Sequence, residues 1–117
     1  AFSCSDKLTD YDSIEGSWRC SELNPVSGQR VYLVDIDQSN SDTTQYLISN
    51  FYNQDINEFV FAYLSGNRLV IPQQNIVSVI VKSGSGIVSD DFLSIEMDYS
   101  LIDGTSDIKV HATLTRP

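Results

Sequence analysis

From Ser17 onward, apolar and polar residues alternate with a period of two, the spacing that sends successive side chains to opposite faces of a strand. The last segment is the clearest: Ile108, Val110, Ala112 and Leu114 share one face, and Lys109, His111, Thr113 and Thr115 the other. Before it, Leu93, Ile95, Met97, Tyr99 and Leu101 oppose Ser94, Glu96, Asp98 and Ser100. Asp103-Gly104 lies between these two segments and signals a hairpin, because glycine takes a positive φ without steric cost. The stretch from 102 to 107 is longer than a two-residue turn and predicts a bulge or a wider connection. Ser65-Gly66-Asn67 predicts a second hairpin, joining residues 59–64 to 68–71, where Pro72 ends the strand because it cannot donate to a ladder. Residues 76–82 are β-branched and read as a strand that Ser83-Gly84-Ser85-Gly86 breaks, with Ile87-Val88 as a short continuation. Strands at 17–23, 31–37 and 45–51 complete a set of about eight, and no segment has the period of an amphipathic helix.

Many short strands with turn residues between them point to an antiparallel barrel or a sandwich. Successive hairpins favour up-and-down order, and closure removes the exposed edges that so β-rich a chain would otherwise have to protect. The expected fold is all-β: a small eight-stranded antiparallel up-and-down barrel, with a β-sandwich as the alternative. It occupies residues 14–117, behind an N-terminal linker of residues 1–13.

Composition narrows the partners. The 117 residues are 41 % apolar, enough for one domain with a real core. Seven Lys and Arg stand against 16 Asp and Glu, a formal charge of -9. Such a surface repels nucleic-acid phosphates and anionic membranes. No apolar run reaches the ~20 residues of a membrane helix.

The chain starts Ala1-Phe2-Ser3-Cys4-Ser5-Asp6, without an initiator Met. A small residue before a cysteine, then a polar stretch, looks like the junction left by a bacterial lipoprotein signal. Cys4 would then carry the lipid, although Ala1 stands where such boxes usually have Leu. A Cys4–Cys20 disulfide is the second reading; it would close a loop of about 16 residues and stabilise by ~3 kcal/mol. An idle thiol is the third. Lipid and disulfide compete for one sulfur. His111 and two cysteines fall short of the four ligands of a structural zinc site, and no metal or cofactor is expected.

Catalytic chemistry finds little support. His111, the sole histidine, lies on the polar face of its strand, with Lys109 and Thr113 as poor partners for a general base. Without a second histidine or a nearby cysteine, no nucleophilic triad assembles. Glu96 and Asp98 share a face at a spacing of about 7 Å but read as solvated carboxylates rather than a glycosidase pair. Asp35 to Asp42 resembles the start of a calcium loop, with Asn40 in place of the required Gly and Tyr46 in place of the bidentate Glu. No enzyme is expected. The aromatics are the more informative set: Phe59, Phe61 and Tyr63 share one face, and Val60, Ala62 and Leu64 the other. Tyr46, Tyr52, Phe61 and Tyr63 are the candidate ligand-binding residues, at an open end of the barrel.

Three stretches together resemble a known group. Ile14-Glu15-Gly16-Ser17-Trp18 fits the Gly-x-Trp that opens the first strand of lipocalins and related calycin barrels. Residues 46–52 and 65–72, with Gly84-Ser85-Gly86 and the last two strands, resemble small lipocalin-like lipoproteins of Bacteroides-type bacteria. The resemblance implies a meander barrel on a lipid anchor, exported to the cell envelope and held at the outer membrane. It also implies that Trp18 packs at a closed barrel end with Arg116 laid over it. The expected function is that of a non-enzymatic envelope lipoprotein domain, monomeric, binding a small apolar or glycan ligand or a protein partner. The alternative is an accessory envelope protein with a filled barrel and no ligand. The short chain favours a shallow interior, and large inward side chains favour the filled barrel.

Overall fold

Each alternating segment becomes a strand of one sheet that closes on itself. The computed structural model describes residues 11–25, 28–54, 57–76 and 79–117; Cys4 and residues 1–10 of the expected linker lie outside them. The strands are β1 (Gly16–Asn24), β2 (Gly28–Gln38), β3 (Gln45–Ser49), β4 (Phe59–Ser65), β5 (Arg68–Ile71), β6 (Gln74–Ile76), β7 (Val79–Val88), β8 (Ser94–Asp103) and β9 (Ser106–Thr115). Their order is β5-β4-β3-β2-β1-β9-β8-β7-β6, all antiparallel, and β5 also pairs with β7. That last pairing closes an eight-stranded up-and-down barrel and leaves β6 outside it. A sandwich would need two sheets, and here there is one.

The interior follows from the alternation. β1 sends in Trp18, Cys20, Glu22 and Asn24; β8 sends in Ile95, Met97, Tyr99 and Leu101; β9 sends in Ile108, Val110, Ala112 and Leu114. With Val34, Ile36, Ile48, Val60, Leu69 and Ile71, the apolar members of these rows make one continuous core. An eight-stranded barrel is just wide enough for side chains to fill, and these are mostly large.

Four local expectations need correction. Ser83-Gly84-Ser85-Gly86 does not break the strand: β7 runs through it, with a register shift between Val81 and Ser83. Gly84 and Gly86 face Tyr99 and Met97 of β8, and a Cβ on them would lie 2.9 Å from Tyr99 Cβ and 2.7 Å from Met97 Cγ. The glycines therefore admit close approach inside the wall, not a turn. Ile76 belongs to the separate strand β6. The β8–β9 connection is only Gly104-Thr105, because Asp103 pairs with Ser106; Gly104, at φ 66°, supplies the positive φ of a two-residue hairpin. Phe51 leaves β3 and enters a 3₁₀ turn, Phe51–Asn53, in which Tyr52 and Asn53 have φ of 58° and 56°.

β6 is tied to the barrel by a side chain. Phe61 of β4 lies just past the β4–β5 pairing, which begins at Tyr63. Its N–H donates to Gln74 Oε1 (2.7 Å), and Gln74 Nε2 donates back to the Phe61 carbonyl (3.0 Å). The Gln74 amide thus takes the place of a missing strand residue.

Candidate functional site

The inward row of β1 runs the length of the barrel, and each end of it meets an arginine. At the Asn24 end, Glu22 follows Trp18 and Cys20 in the inward row with a relative exposure of 0 %, next to the buried Asn24. Arg30, its direct partner across the β1–β2 ladder, donates from Nε (3.0 Å) and Nη2 (2.7 Å) to Glu22 Oε2. Tyr32 Oη and Tyr99 Oη (3.1 Å) donate to Oε1. Both carboxylate oxygens are therefore served by donors from β2 and β8, as a buried charge requires.

The turn after β3 roofs this cluster. Phe51 and Tyr52 are buried, and the Phe51 ring packs 4.6 Å from that of Tyr99. The Arg30 guanidinium lies 4.7 Å from the centre of the Tyr52 ring and donates to the Tyr52 carbonyl (3.3 Å). Asn24 Nδ2 donates to Tyr52 Oη (2.9 Å). Burial would lower the Arg30 pKa, but the hydrogen bond and charge of Glu22 outweigh it and raise it. Burial drives the Tyr32 and Tyr99 hydroxyls far up, so both remain donors at any working pH. Burial likewise pushes the Cys20 thiol up to about 11, which leaves it an unreactive free thiol inside the wall. Beside this cluster the interior keeps a hollow of about 10 Å³, lined by Cys20, Tyr32, Ile48, Met97 and Ala112 among others. That is room for about one water molecule.

The opposite end is closed by Trp18, which is fully buried and donates from Nε1 to the Ile14 carbonyl (2.8 Å). The Arg116 guanidinium carbon lies 3.9 Å from the Trp18 ring centre and 4.0 Å from that of Tyr11. Its nitrogens donate to the carbonyls of Phe92 (2.9 Å), Glu15 (2.9 Å) and Ser13 (2.6 Å). The guanidinium fork thereby joins the last residues of the chain to the segment that enters β1.

The four aromatics expected at one mouth are not brought together. Tyr46 is buried and pairs with Gln38, beyond the Trp18 end of β1. Tyr52 is buried at the other end, beside Asn24. Phe61 and Tyr63 point outward from β4 and are 41 % and 40 % exposed. The reason is the strand period: Phe61 and Tyr63 are odd-numbered on a strand whose even positions Val60 and Ala62 are buried. Outside the barrel, Phe59 meets Phe61 edge to face, ring centres 5.7 Å apart, with Tyr63 and its cross-strand partner Val70 also exposed.

His111 has partners that its own strand does not supply. From β8, Asp98 Oδ1 lies 2.8 Å from Nδ1 and Glu96 Oε2 lies 3.0 Å from Nε2. The Asp98 hydrogen bond, followed by the charges of both carboxylates, raises the His111 pKa. With a carboxylate oxygen beside each ring nitrogen, the imidazolium form is favoured over the neutral base. It stands at the rim of a shallow outer hollow of about 460 Å³ that also touches Ser83, Ser85, Ser100 and Lys109. Asp35 accepts from Ser17 Oγ (2.6 Å), and Asp42 caps the N–H and hydroxyl of Thr44, so the calcium-like stretch forms a hydrogen-bonded hairpin loop. Among the described residues, no cluster of three or more His, Cys, Asp or Glu has a metal-binding arrangement.

Sequence reasoning passed over Glu22, Arg30 and Tyr32. The signal was present: within residues 17–23, Glu22 falls in the row of Trp18 and Cys20, and Arg30 in that of Tyr32, Val34 and Ile36. A carboxylate and a guanidinium on two facing apolar rows mark a buried pair. No protein-family model matches the chain, and no curated protein matches it either.

Proposed function

We propose that this chain is a non-enzymatic accessory domain of the bacterial cell envelope, exported and held at the outer membrane by a lipid on Cys4. In this reading it is a lipocalin-like barrel that works as a solid body and offers its outer surface rather than a cavity. The observation that carries the reading is the interior hollow of about 10 Å³. A space for one water is far smaller than the roughly 300 Å³ or more of a typical site for a fatty acid or a sugar, which favours a filled interior. Arg116 over Trp18 covers one end of the barrel, and Phe51 and Tyr52 cover most of the other. The experiment has two arms. The precursor is expressed with an alkyne-bearing fatty acid; label in the membrane fraction that Cys4→Ser abolishes supports the tether, and an unlabelled chain counts against it. Calorimetry with fatty acids and bile acids then tests the solid barrel, for which no heat of binding is the expected result.

The outer row of Phe59, Phe61 and Tyr63 favours a second reading, contact with a glycan or a protein partner on the β4 face. Loss of such a contact in Phe61→Ser, with the fold intact, supports it.

A further inference from the structure

We propose that Arg30, Tyr32 and Tyr99 form a carboxylate receptor inside the barrel, which the chain keeps filled with its own Glu22. An ionised carboxylate offers about four acceptor sites on two oxygens. Here four donors converge on them, two from one guanidinium and two from phenols on different strands. That is a complete recognition set for a small carboxylate, built from groups outside the strand that supplies the carboxylate.

The receptor is held in place by contacts that do not involve Glu22. Arg30 rests on the Tyr52 ring and donates to the Tyr52 carbonyl, Asn24 fixes the Tyr52 hydroxyl, and Phe51 packs on the Tyr99 ring. Removing the glutamate side chain therefore leaves a site in which Arg30, Tyr32 and the buried Tyr99 have lost their common acceptor. Such a site takes up a free anion that restores the missing bonds. Access is through Arg30, whose side chain is 29 % exposed at the barrel end, whereas Glu22 is fully enclosed.

The ligand class is a short monocarboxylate, and its size follows from the deleted atoms. Glu22→Ala removes a methylene and the carboxylate, the size of acetate; Glu22→Gly removes one carbon more, the size of propionate. The wild-type protein takes up neither, because the site is occupied. The inference concerns the interior alone and is independent of the tether and of any outer-face partner.

The test is thermal unfolding of wild type, Glu22→Ala and Glu22→Gly in acetate, propionate, acetamide and chloride at matched concentration and ionic strength. Acetate is expected to raise the Tm of Glu22→Ala saturably, by about 5 °C at concentrations well above its Kd. Propionate is expected to do the same for Glu22→Gly, while wild type responds as it does to chloride. The double variant Glu22→Ala/Arg30→Met is expected to lose the acetate response. Should Glu22→Ala be unfolded without additives, the same series is read as the fraction refolded, which acetate restores and acetamide does not. A response to acetamide equal to that to acetate, no carboxylate response, or a response that survives Arg30→Met overturns the proposal.

Discussion

The Arg116 guanidinium stacks on the indole of Trp18, 3.9 Å from its ring centre, while its nitrogens hold the carbonyls of Ser13, Glu15 and Phe92. One side chain thus joins the chain's end to the segment that enters β1 and plugs the barrel. Arg116→Ala is expected to cost about 2–4 kcal/mol, from charge-assisted hydrogen bonds and a cation–π contact. Trp18 is the single tryptophan, so its emission reports the change directly: a red shift is expected as water reaches the indole. Arg116→Lys keeps the charge but loses the fork and should fall between the two. Wild-type emission and stability in Arg116→Ala would contradict this role.

His111 gives a pH dependence of defined sign. Its pKa is raised in the folded protein, first by the Asp98 hydrogen bond and then by the charges of Asp98 and Glu96. The stabilisation is complete below the ordinary histidine value of about 6.5 and is lost as pH rises through the folded pKa. The imidazole is half exposed, so the step should stay within about 1 kcal/mol. NMR titration of the His111 ring checks the direction, and Asp98→Asn is expected to bring the pKa down.

Gln74 mimics a strand residue for Phe61, and its two bonds need both an acceptor and a donor. Gln74→Ala should cost about 1–3 kcal/mol by leaving the Phe61 backbone unpaired, and should speed hydrogen exchange of the Phe61 amide. Gln74→Glu lacks the donor and sets a carboxylate against the Phe61 carbonyl, so it should be no better than Ala. Unchanged exchange at Phe61 in both variants would show that β6 is held by other contacts.

Gly84 lies where β5, β7 and β8 meet to close the barrel, and a Cβ there would press on Tyr99 Cβ at 2.9 Å and on Ile71 Cδ1 at 3.2 Å. Neither Tyr99 Cβ nor the wall behind it can swing away. Gly84→Ala is therefore expected to destabilise by about 1–3 kcal/mol in chemical denaturation, as overpacking does. Gly66→Ala meets no atom within 4 Å and should show only the smaller strain of its positive φ.

Most strands and their up-and-down order were legible because alternation and hairpin residues act locally; the short β6 and the continuity of β7 were not. Ile108 to Leu114 and Leu93 to Leu101 could be assigned to faces without any tertiary information. Gly84 and Gly86 were misread because glycine in a strand signals a break and a close approach equally, and only the packing of Tyr99 and Met97 decides. The aromatic site was misread for a related reason. Counting Tyr46, Tyr52, Phe61 and Tyr63 as one group ignored that odd and even positions of β4 face opposite ways and that Tyr46 and Tyr52 stand at opposite barrel ends. The partners of His111 lie on β8, at a register that no single-strand pattern reveals.

A ¹⁵N–¹H NMR titration of the folded domain with fatty acids, bile acids and oligosaccharides tests whether the barrel interior is filled. With a filled interior, the amides of Val34, Ile48, Met97 and Ala112, which line the residual hollow, are expected not to move at millimolar ligand. Saturable shifts clustered on those four residues would contradict it and would mean that the barrel opens to hold a ligand.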